Sequence, residues 1–157
     1  MITKPAGFAW VTAWLARGAW PRKRQYDALR FEGIDTIVNL RRRDESERIE
    51  KCAPHALAVH IPLRDDEPPS TMQAVKWLRF CDDVREKRHV YVHCNKGDGR
   101  TSVFCALVRI AQGWDDERAI EEQRAFGFGK RRHRRQMKFL RRFHAAVMSG
   151  EIGIPRL

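Results

Sequence analysis

Residues 90–101, VYVHCNKGDGRT, combine the groups needed to bind and attack an oxyanion. An apolar run is followed by Cys94 and by a loop that contains Gly97 and Gly99, and Arg100 then opens an apolar helical pattern. Glycines allow backbone N–H groups to converge on one point, and the N-terminus of a helix adds partial positive charge. The guanidinium of Arg100 can donate two parallel hydrogen bonds to phosphate oxygens. The segment therefore predicts a phosphate-binding loop, here residues 94–99.

Cys94 is the candidate nucleophile of this loop. The thiolate is the reactive form of cysteine, and a helix N-terminus and nearby cations favour it over the thiol. A cysteine after an apolar strand is more often a small buried side chain than a catalytic one. The glycine-containing loop and Arg100, which can hold an oxyanion beside this sulfur, nevertheless favour nucleophilic attack on phosphorus as its role.

The charge of the chain favours anionic partners. Its 31 Lys and Arg side chains exceed its 20 Asp and Glu side chains, which gives a formal net charge of +11. Such a field raises the local concentration of anions but does not distinguish a phosphoprotein from an inositol phosphate or a nucleic acid. The expected partner is therefore a phosphorylated protein or another anionic phosphate substrate.

Length and composition predict one globular domain over residues 1–157, because 157 residues with 43% apolar side chains suit a single core. The uncharged stretch 5–16 is too short to cross a bilayer and lacks the organisation of a signal peptide. We therefore expect a cytoplasmic protein with no transmembrane segment. The four cysteines, Cys52, Cys81, Cys94 and Cys105, contain no CxxC pair and suggest neither a disulfide framework nor a zinc site.

The segments that position the loop alternate between strands and helices. Short apolar runs predict interior strands at 34–40, 56–63 and 89–93. Helical patterns cover 22–32, 70–87, 100–112, 115–125 and 130–148, and a short charged turn lies near 44–51. Residues 103–111 are apolar almost all round except for Arg109, which predicts a central buried helix. The alternation predicts an α/β fold with a central, mostly parallel sheet flanked by helices.

The pattern His-Cys-x5-Arg-Thr, at His93, Cys94, Arg100 and Thr101, resembles the phosphate-binding loop of the cysteine-dependent protein tyrosine and dual-specificity phosphatases. Residues 15–21, LARGAWP, and 33–41, GIDTIVNLR, resemble the first strands and helix of small bacterial, archaeal and plant-type dual-specificity phosphatases. The resemblance covers roughly residues 14–145 and implies the protein tyrosine phosphatase-like fold.

The resemblance also implies roles for individual residues. Cys94 would form a phosphocysteine intermediate, Thr101 would help the thiolate to depart, and His93 would orient the loop. No cofactor and no metal are implied. The residues expected to bind the substrate phosphate are Asn95, Lys96, Gly97, Asp98, Gly99 and Arg100.

The loop departs from the family pattern near its end. Ser102 stands where many members have Gly, and Asp98 brings negative charge to an anion site, whereas Lys96 has the opposite effect. If the Asp98 carboxylate faced the pocket, it would weaken the binding of polyanions, which argues against a lipid phosphatase.

The general acid is expected on a separate upstream loop, the acid loop, where residues 61–69 read IPLRDDEPP. The resemblance implies that an aspartate there protonates the leaving oxygen and then activates water. Asp65 is favoured over Asp66, although both could instead be turn residues before the prolines. An acid that precedes the cysteine in the chain disfavours the low-molecular-weight tyrosine phosphatases, in which the cysteine comes first.

A second basic feature begins at residue 130, where the sequence reads KRRHRR and continues with Lys138, Arg141 and Arg142. Apolar residues at helical spacing share this segment, so a solvated basic face on a terminal helix is the favoured interpretation. The alternative is that the cluster binds RNA, an anionic membrane surface or a polyphosphorylated substrate, with nucleic acid not favoured.

With the resemblance, these residues predict a cysteine-dependent phosphatase that hydrolyses phosphate monoesters. Phosphotyrosine in proteins is the expected substrate, with phosphoserine and phosphothreonine as additional ones. One alternative is the same chemistry on a phosphoinositide, an inositol phosphate or an RNA 5′-triphosphate. The other is an inactive module that only binds phosphate.

Overall fold

The computed structural model describes residues 2–157, which contain one five-stranded sheet. Its strands are β1 (Ala9–Trp10), β2 (Leu15–Gly18), β3 (Thr36–Asn39), β4 (Leu57–His60) and β5 (Val90–His93). The order across the sheet is β1-β2-β5-β3-β4. The short β1 pairs antiparallel with β2, and all other neighbours pair in parallel. The expected mostly parallel sheet is confirmed.

Within residues 2–157 the chain forms six α-helices, and the predicted helices are confirmed with ends shifted by a few residues. They are α1 (Gln25–Phe31), α2 (Ser46–Cys52), α3 (Thr71–Val84), α4 (Arg100–Ala111), α5 (Asp116–Arg124) and α6 (Arg134–Met148). The charged turn expected near 44–51 is the helix α2, and a 3-10 turn at Arg131–His133 leads into α6. No helix in the described part of the chain has the length and apolar character needed to cross a bilayer.

The helices cover both faces of the sheet. On one face, Ile37 and Tyr91 pack with the buried side chains of α1 and α2. On the opposite face, Val38 and Val92 pack with side chains from α3, α4, α5 and α6. Neighbouring residues of a strand point to opposite faces, so the strands β3 and β5, in which every residue is buried, supply both hydrophobic clusters. The expected α/β fold is confirmed.

The α4 helix is buried as its apolar sequence predicts. Every residue of α4 except Arg109 is buried. Arg109 donates to both carboxylate oxygens of Glu122 and, at 2.8 Å, to the carbonyl of Val11. The core therefore holds α4 firmly on all sides, and its N-terminus provides a rigid base for the loop that precedes it.

The prediction that residues 56–63 form an interior strand is wrong, because β4 lies at the edge of the sheet. It pairs with β3 on one side, and Leu57 at its start is 44% exposed. A short apolar run indicates a strand but not how many neighbours that strand has. Here the run also continues past β4, and Ile61 and Leu63 pack into the core and anchor the start of the acid loop.

The strands β2, β5 and β3 end side by side, so their carboxyl ends form one end of the parallel sheet. Gly18 of β2 and Asn39 of β3 are both in register with His93 of β5. Binding sites in open parallel sheets form at the carboxyl ends of the strands, where the loops that leave them converge. The topology therefore places Cys94, the residue after β5, among the loops that leave β2 and β3.

Candidate active site

The phosphate-binding loop connects β5 to α4 and packs closely on the end of β2. Gly97 has a φ of +82°, and a Cβ atom there would lie 2.8 Å from the carbonyl carbon of Gly18. Both the left-handed backbone and this close approach require glycine. The backbone N–H of Trp20 donates to the carbonyl of Asn95 at 2.9 Å, which fixes the first turn of the loop to the same segment.

Cys94 lies in a polar cavity of about 220 Å³ and is only 3% exposed. The hydroxyl of Thr101 donates to its Sγ at 3.0 Å. The other residues that line the cavity are Asp65, Asp66, Asn95, Lys96, Asp98 and Arg132. The structure thus brings the cysteine, the loop and both candidate acids to one cavity, beside the N-terminus of α4.

Arg100 connects the phosphate-binding loop to the acid loop. Its guanidinium is nearly buried, and Nη1 donates to the carbonyl of Leu63 at 2.9 Å. Nη2 lies 3.6 Å from Oδ1 of Asp65. Nε has no hydrogen-bond partner among residues 2–157. A buried guanidinium with an unpaired N–H next to the loop is suited to bind an oxyanion.

The two candidate acids have different partners. The side chain of Asp65 is 75% exposed, and its Oδ1 faces Arg100 and accepts from the backbone N–H of Asp66 at 3.1 Å. Asp66 has a φ of 60°, in the left-handed region, and its Oδ1 lies 3.7 Å from Nε of Arg132. Asp65 therefore lies beside the arginine of the loop, whereas Asp66 is directed to the C-terminal basic segment.

Arg17 on β2 is fully buried behind the phosphate-binding loop. Its guanidinium donates to the carbonyl of Gly97, to Oε1 of Gln123 and, at 3.1 Å, to Oγ of Ser102. It also lies over the ring of Phe126, 4.0 Å from the centroid. The Ser102 hydroxyl is thus an acceptor for this buried cation.

His93 is fully buried at the end of β5, and burial lowers the pKa of His93 from 6.5 to about 4. Its Nδ1–H donates to the carbonyl of Cys94 at 2.9 Å, and its ring stacks on Tyr91. The neutral tautomer with the proton on Nδ1 fits these contacts. His93 therefore holds the first peptide of the loop without adding charge.

The arginines of the basic segment that begins at residue 130 are exposed, as the favoured interpretation predicts, and two of them also form ion pairs with the loops of the cavity. Arg132 forms an ion pair with Asp98 of the phosphate-binding loop, and Arg135 pairs with Glu67 of the acid loop at 2.8 Å. The negative charge of Asp98 is therefore balanced from outside the loop. These contacts, like the role of Arg17, have no signal in the sequence, because the partners are distant in the chain and carry ordinary surface charges.

The cavity offers donors for an anion. Lys96 and Arg132 line it, and the guanidinium of Arg100 lies 3.6 Å from the carboxylate of Asp65, one of its lining residues. In the described part of the chain, no group of three or more His, Cys, Asp or Glu residues is placed to hold a metal ion. The arrangement can hold an anion beside a sulfur nucleophile and a carboxylate.

Burial of His93 makes the stability of the protein depend on pH. The pKa of His93 is about 4 in the folded chain, against 6.5 for an exposed histidine, so below pH 6.5 the unfolded chain binds a proton that the folded chain does not. We expect the free energy of unfolding to fall by about 2 kcal/mol from pH 7.5 to pH 5 because of His93. Above pH 6.5 the histidine is neutral in both states, so it causes little loss there. Urea unfolding of wild type and His93→Gln at both pH values measures this. Equal losses in the two proteins would contradict the prediction.

Comparison with known proteins identifies the family of the chain. Residues 10–142 match the family described as "DSP-PTPase phosphatase fused to NAD+ Kinase". Dual specificity protein phosphatase TpbA of Pseudomonas aeruginosa (strain UCBPP-PA14) is 30% identical over 116 residues, which make up 73% of this chain and 52% of TpbA. The chain thus spans about half the length of the curated relatives that it matches.

Solved structures share the fold. A crystal structure of P. aeruginosa TpbA superimposes with a TM-score of 0.71 and 26% identity, covering 88% of this chain and 90% of that one. The core catalytic domain of the PP-IP phosphatase SIW14 of S. cerevisiae has a TM-score of 0.77 and 19% identity, covering 99% of both chains. The family match includes both loops of the cavity and all of α4. The chain belongs to the DSP-PTPase phosphatase family whose members are described as fused to NAD+ kinase.

Proposed function

We propose that the protein is a cysteine-dependent phosphatase that hydrolyses phosphate monoesters through a phosphocysteine at Cys94. The observation that carries this proposal is the hydrogen bond from the Thr101 hydroxyl to Sγ of Cys94, at 3.0 Å, on a loop that Arg100 ties to the acid loop. A donor aimed at the sulfur stabilises the thiolate, which is the nucleophilic form. The family match over residues 10–142 supports the same activity.

In the first step, the Cys94 thiolate attacks phosphorus in line with the ester bond. The S–P bond forms as the P–O bond breaks, and the departing oxygen takes a proton from Asp65. Arg100, Lys96 and the N–H groups of the loop bind the non-bridging oxygens. The N-terminus of α4 adds positive charge where negative charge is concentrated.

In the second step, water attacks the phosphorus of the phosphocysteine. Asp65, now a carboxylate, takes a proton from that water, and the S–P bond breaks with its electron pair returning to the sulfur of Cys94. The Thr101 hydroxyl donates to the thiolate as it forms. Inorganic phosphate leaves, and the proton gained by Asp65 restores the acid for the next cycle.

The contacts of the two aspartates support Asp65 as the acid. Asp65 lies beside Arg100, so its carboxyl is close to the place where a bound phosphate ester would meet the loop. Asp66 has the left-handed backbone of a turn and faces Arg132 instead. We assign proton transfer to Asp65 and a structural role to Asp66.

The charges at the mouth of the cavity favour substrates with a single phosphate. Three carboxylates line it, those of Asp65, Asp66 and Asp98, against the cations Lys96 and Arg132. Arg132 and Asp98 neutralise each other, so Lys96 is the cation of the lining that remains, beside Asp65 and Asp66, and little positive charge is available for a second phosphate group. Phosphotyrosine is the substrate that we propose, with phosphoserine and phosphothreonine as further substrates. A structure of P. aeruginosa TpbA in complex with pTyr supports this choice.

Replacement of the nucleophile tests the chemistry. We expect Cys94→Ser to lower kcat for an aryl phosphate by more than about a thousandfold, in buffer without added metal, because the serine hydroxyl is not ionised at neutral pH. Cys52→Ser, at a partly exposed cysteine outside the cavity, is the matched control and should keep full activity. An inactive wild type, or a Cys94→Ser variant as active as wild type, would leave only a phosphate-binding module.

Replacement of each aspartate identifies the acid. We expect Asp65→Asn to lower kcat/KM for phenyl phosphate by about a hundredfold, because a poor leaving group needs the proton. The loss should be far smaller for an aryl phosphate whose phenol is strongly acidic. Asp66→Asn keeps a residue type that tolerates positive φ and should cause the smaller loss on phenyl phosphate. The reverse order of the two losses would move the role to Asp66.

Comparison of substrates tests the predicted specificity. We expect kcat/KM for a phosphotyrosine peptide to exceed that for an inositol polyphosphate and for RNA with a 5′-triphosphate, because the mouth carboxylates repel additional phosphates. Asp98→Asn should narrow this difference in kcat/KM, since it releases Arg132 from its ion pair and leaves a free cation at the mouth. A preference of wild type for either polyphosphate would show that steering by the net charge outweighs the local carboxylates.

A further inference from the structure

Side chains near the start of α6 contact the acid loop. Nε of Arg132 lies 3.7 Å from Oδ1 of Asp66, and Nη1 of Arg135 lies 2.8 Å from Oε1 of Glu67. Nε2 of Gln136 donates to the backbone carbonyl of Glu67 at 3.4 Å. We name residues 132–136 the clamp segment. Through these three contacts it holds the two acid-loop residues that directly follow Asp65.

The clamp segment also touches the phosphate-binding loop. Arg132 pairs with Asp98, so one guanidinium serves a carboxylate from each loop. Gln136 is fully buried, and a Cβ atom on Gly99 would lie 3.3 Å from its amide atoms. The two loops that bring together the nucleophile and the acid are thus held by the same short segment.

The clamp segment has a rigid support of its own. His133 is fully buried, stacks on Phe128, and accepts hydrogen bonds at Nδ1 from the backbone N–H groups of Gly129 and Lys130 at 3.1 and 3.2 Å. Just beyond the clamp segment, Phe139 and Leu140 of α6 pack into the core. A displacement of the clamp segment would therefore disturb buried contacts, whereas the acid loop lies on the surface.

Asp65 has few contacts that could fix its position. Its side chain is 75% exposed, and Oδ1 is 3.6 Å from Arg100 and accepts from the N–H of its own neighbour, Asp66. A general acid must be within hydrogen-bonding reach of the leaving oxygen, and a misplacement of about 1 Å can lower a rate about a hundredfold. The position of Asp65 therefore depends on how the rest of the acid loop is held.

We propose that the clamp segment positions Asp65 for proton transfer, with Arg132 as the positioning residue that ties the acid loop to the phosphate-binding loop. The proposal rests on the proposed function. Exposed ion pairs are individually weak, but here two of them and a backbone hydrogen bond act on consecutive residues from one rigid base. Without Arg132, the carboxylates of Asp66 and Asp98 lose their shared cation and repel each other, which moves the acid loop away from the cavity.

The first test is a leaving-group series. Arg132→Met removes the charge, and Arg131→Met removes the same charge from its exposed neighbour as the matched control. We expect Arg132→Met to lower kcat/KM about tenfold for the least acidic phenol and less than about twofold for the most acidic one, because only the former needs the acid. Arg131→Met should stay within about twofold of wild type throughout. An equal loss over the whole series would overturn the proposal and assign Arg132 to phosphate binding.

The second test asks whether Arg132 acts through Asp65. In an Asp65→Asn background, Arg132→Met should cause no more than about a twofold further loss on the poor leaving group, because the acid that it positions is already absent. A further tenfold loss there would show an action independent of Asp65. The second ion pair, between Arg135 and Glu67, is tested by exchange of its charges. Arg135→Glu should lower kcat/KM for the poor leaving group more than for the good one, as Arg132→Met does. Adding Glu67→Arg should restore the wild-type rates, because it restores the pair with the charges exchanged.

The third test does not depend on activity. Hydrogen–deuterium exchange of the acid-loop amides should be faster in Arg132→Met than in wild type and Arg131→Met, while exchange in α4 stays unchanged. Unchanged exchange in the acid loop would overturn the proposal. If wild type is inactive but exchange rises as expected, the clamp is retained as a structural feature and the proposed function is the part that fails.

Discussion

The arrangement of the site depends on the buried guanidinium of Arg17. A charge in a protein core is costly unless hydrogen bonds compensate for the lost water, and Arg17 has acceptors for Nη1 and Nη2, while its Nε has none among residues 2–157. The three acceptors of Arg17 come from three places, namely the carbonyl of Gly97 in the phosphate-binding loop, Ser102 in α4 and Gln123 in α5. A shift of any one of these elements would leave a buried donor or acceptor without a partner. Arg17 on β2 therefore fixes the loop, α4 and α5 relative to the sheet.

The same contacts leave positive charge next to the phosphate-binding loop. The three acceptors of Arg17 are neutral, so its positive charge persists behind the loop and adds to that of Arg100 and of the N-terminus of α4. Electrostatic interactions are strong in such poorly solvated surroundings. A thiolate at Cys94 and a bound phosphate both benefit, because each places negative charge where the fold has already positioned positive charge. His93 fits this arrangement since burial keeps it neutral.

What the sequence predicted correctly is local in the chain. The spacing from Cys94 to Arg100, the buried helix α4 and the central strands β3 and β5 all follow from patterns within about a dozen residues. The edge position of β4 and the contacts of Arg17 and Arg132 depend on packing between distant segments. The sequence does not distinguish a buried arginine such as Arg17 from a solvated one. For the same reason, the run KRRHRR does not show which of its arginines contact the acid loop. Asp65 and Asp66 are adjacent residues of the same type, and only the fold gives them different partners, Arg100 and Arg132.

The net charge of +11 and the charge of the cavity mouth act at different ranges and in different directions. The overall field attracts phosphorylated molecules of every kind, and its effect reaches as far as screening by salt allows. At the mouth, Arg132 and Asp98 neutralise each other in an ion pair, which leaves Asp65 and Asp66 beside Lys96 among the lining residues. At contact distance, a second phosphate would meet carboxylates instead of the general positive field. Attraction to the protein and entry into the cavity are therefore governed by separate charges, as the proposed preference for a substrate with one phosphate requires.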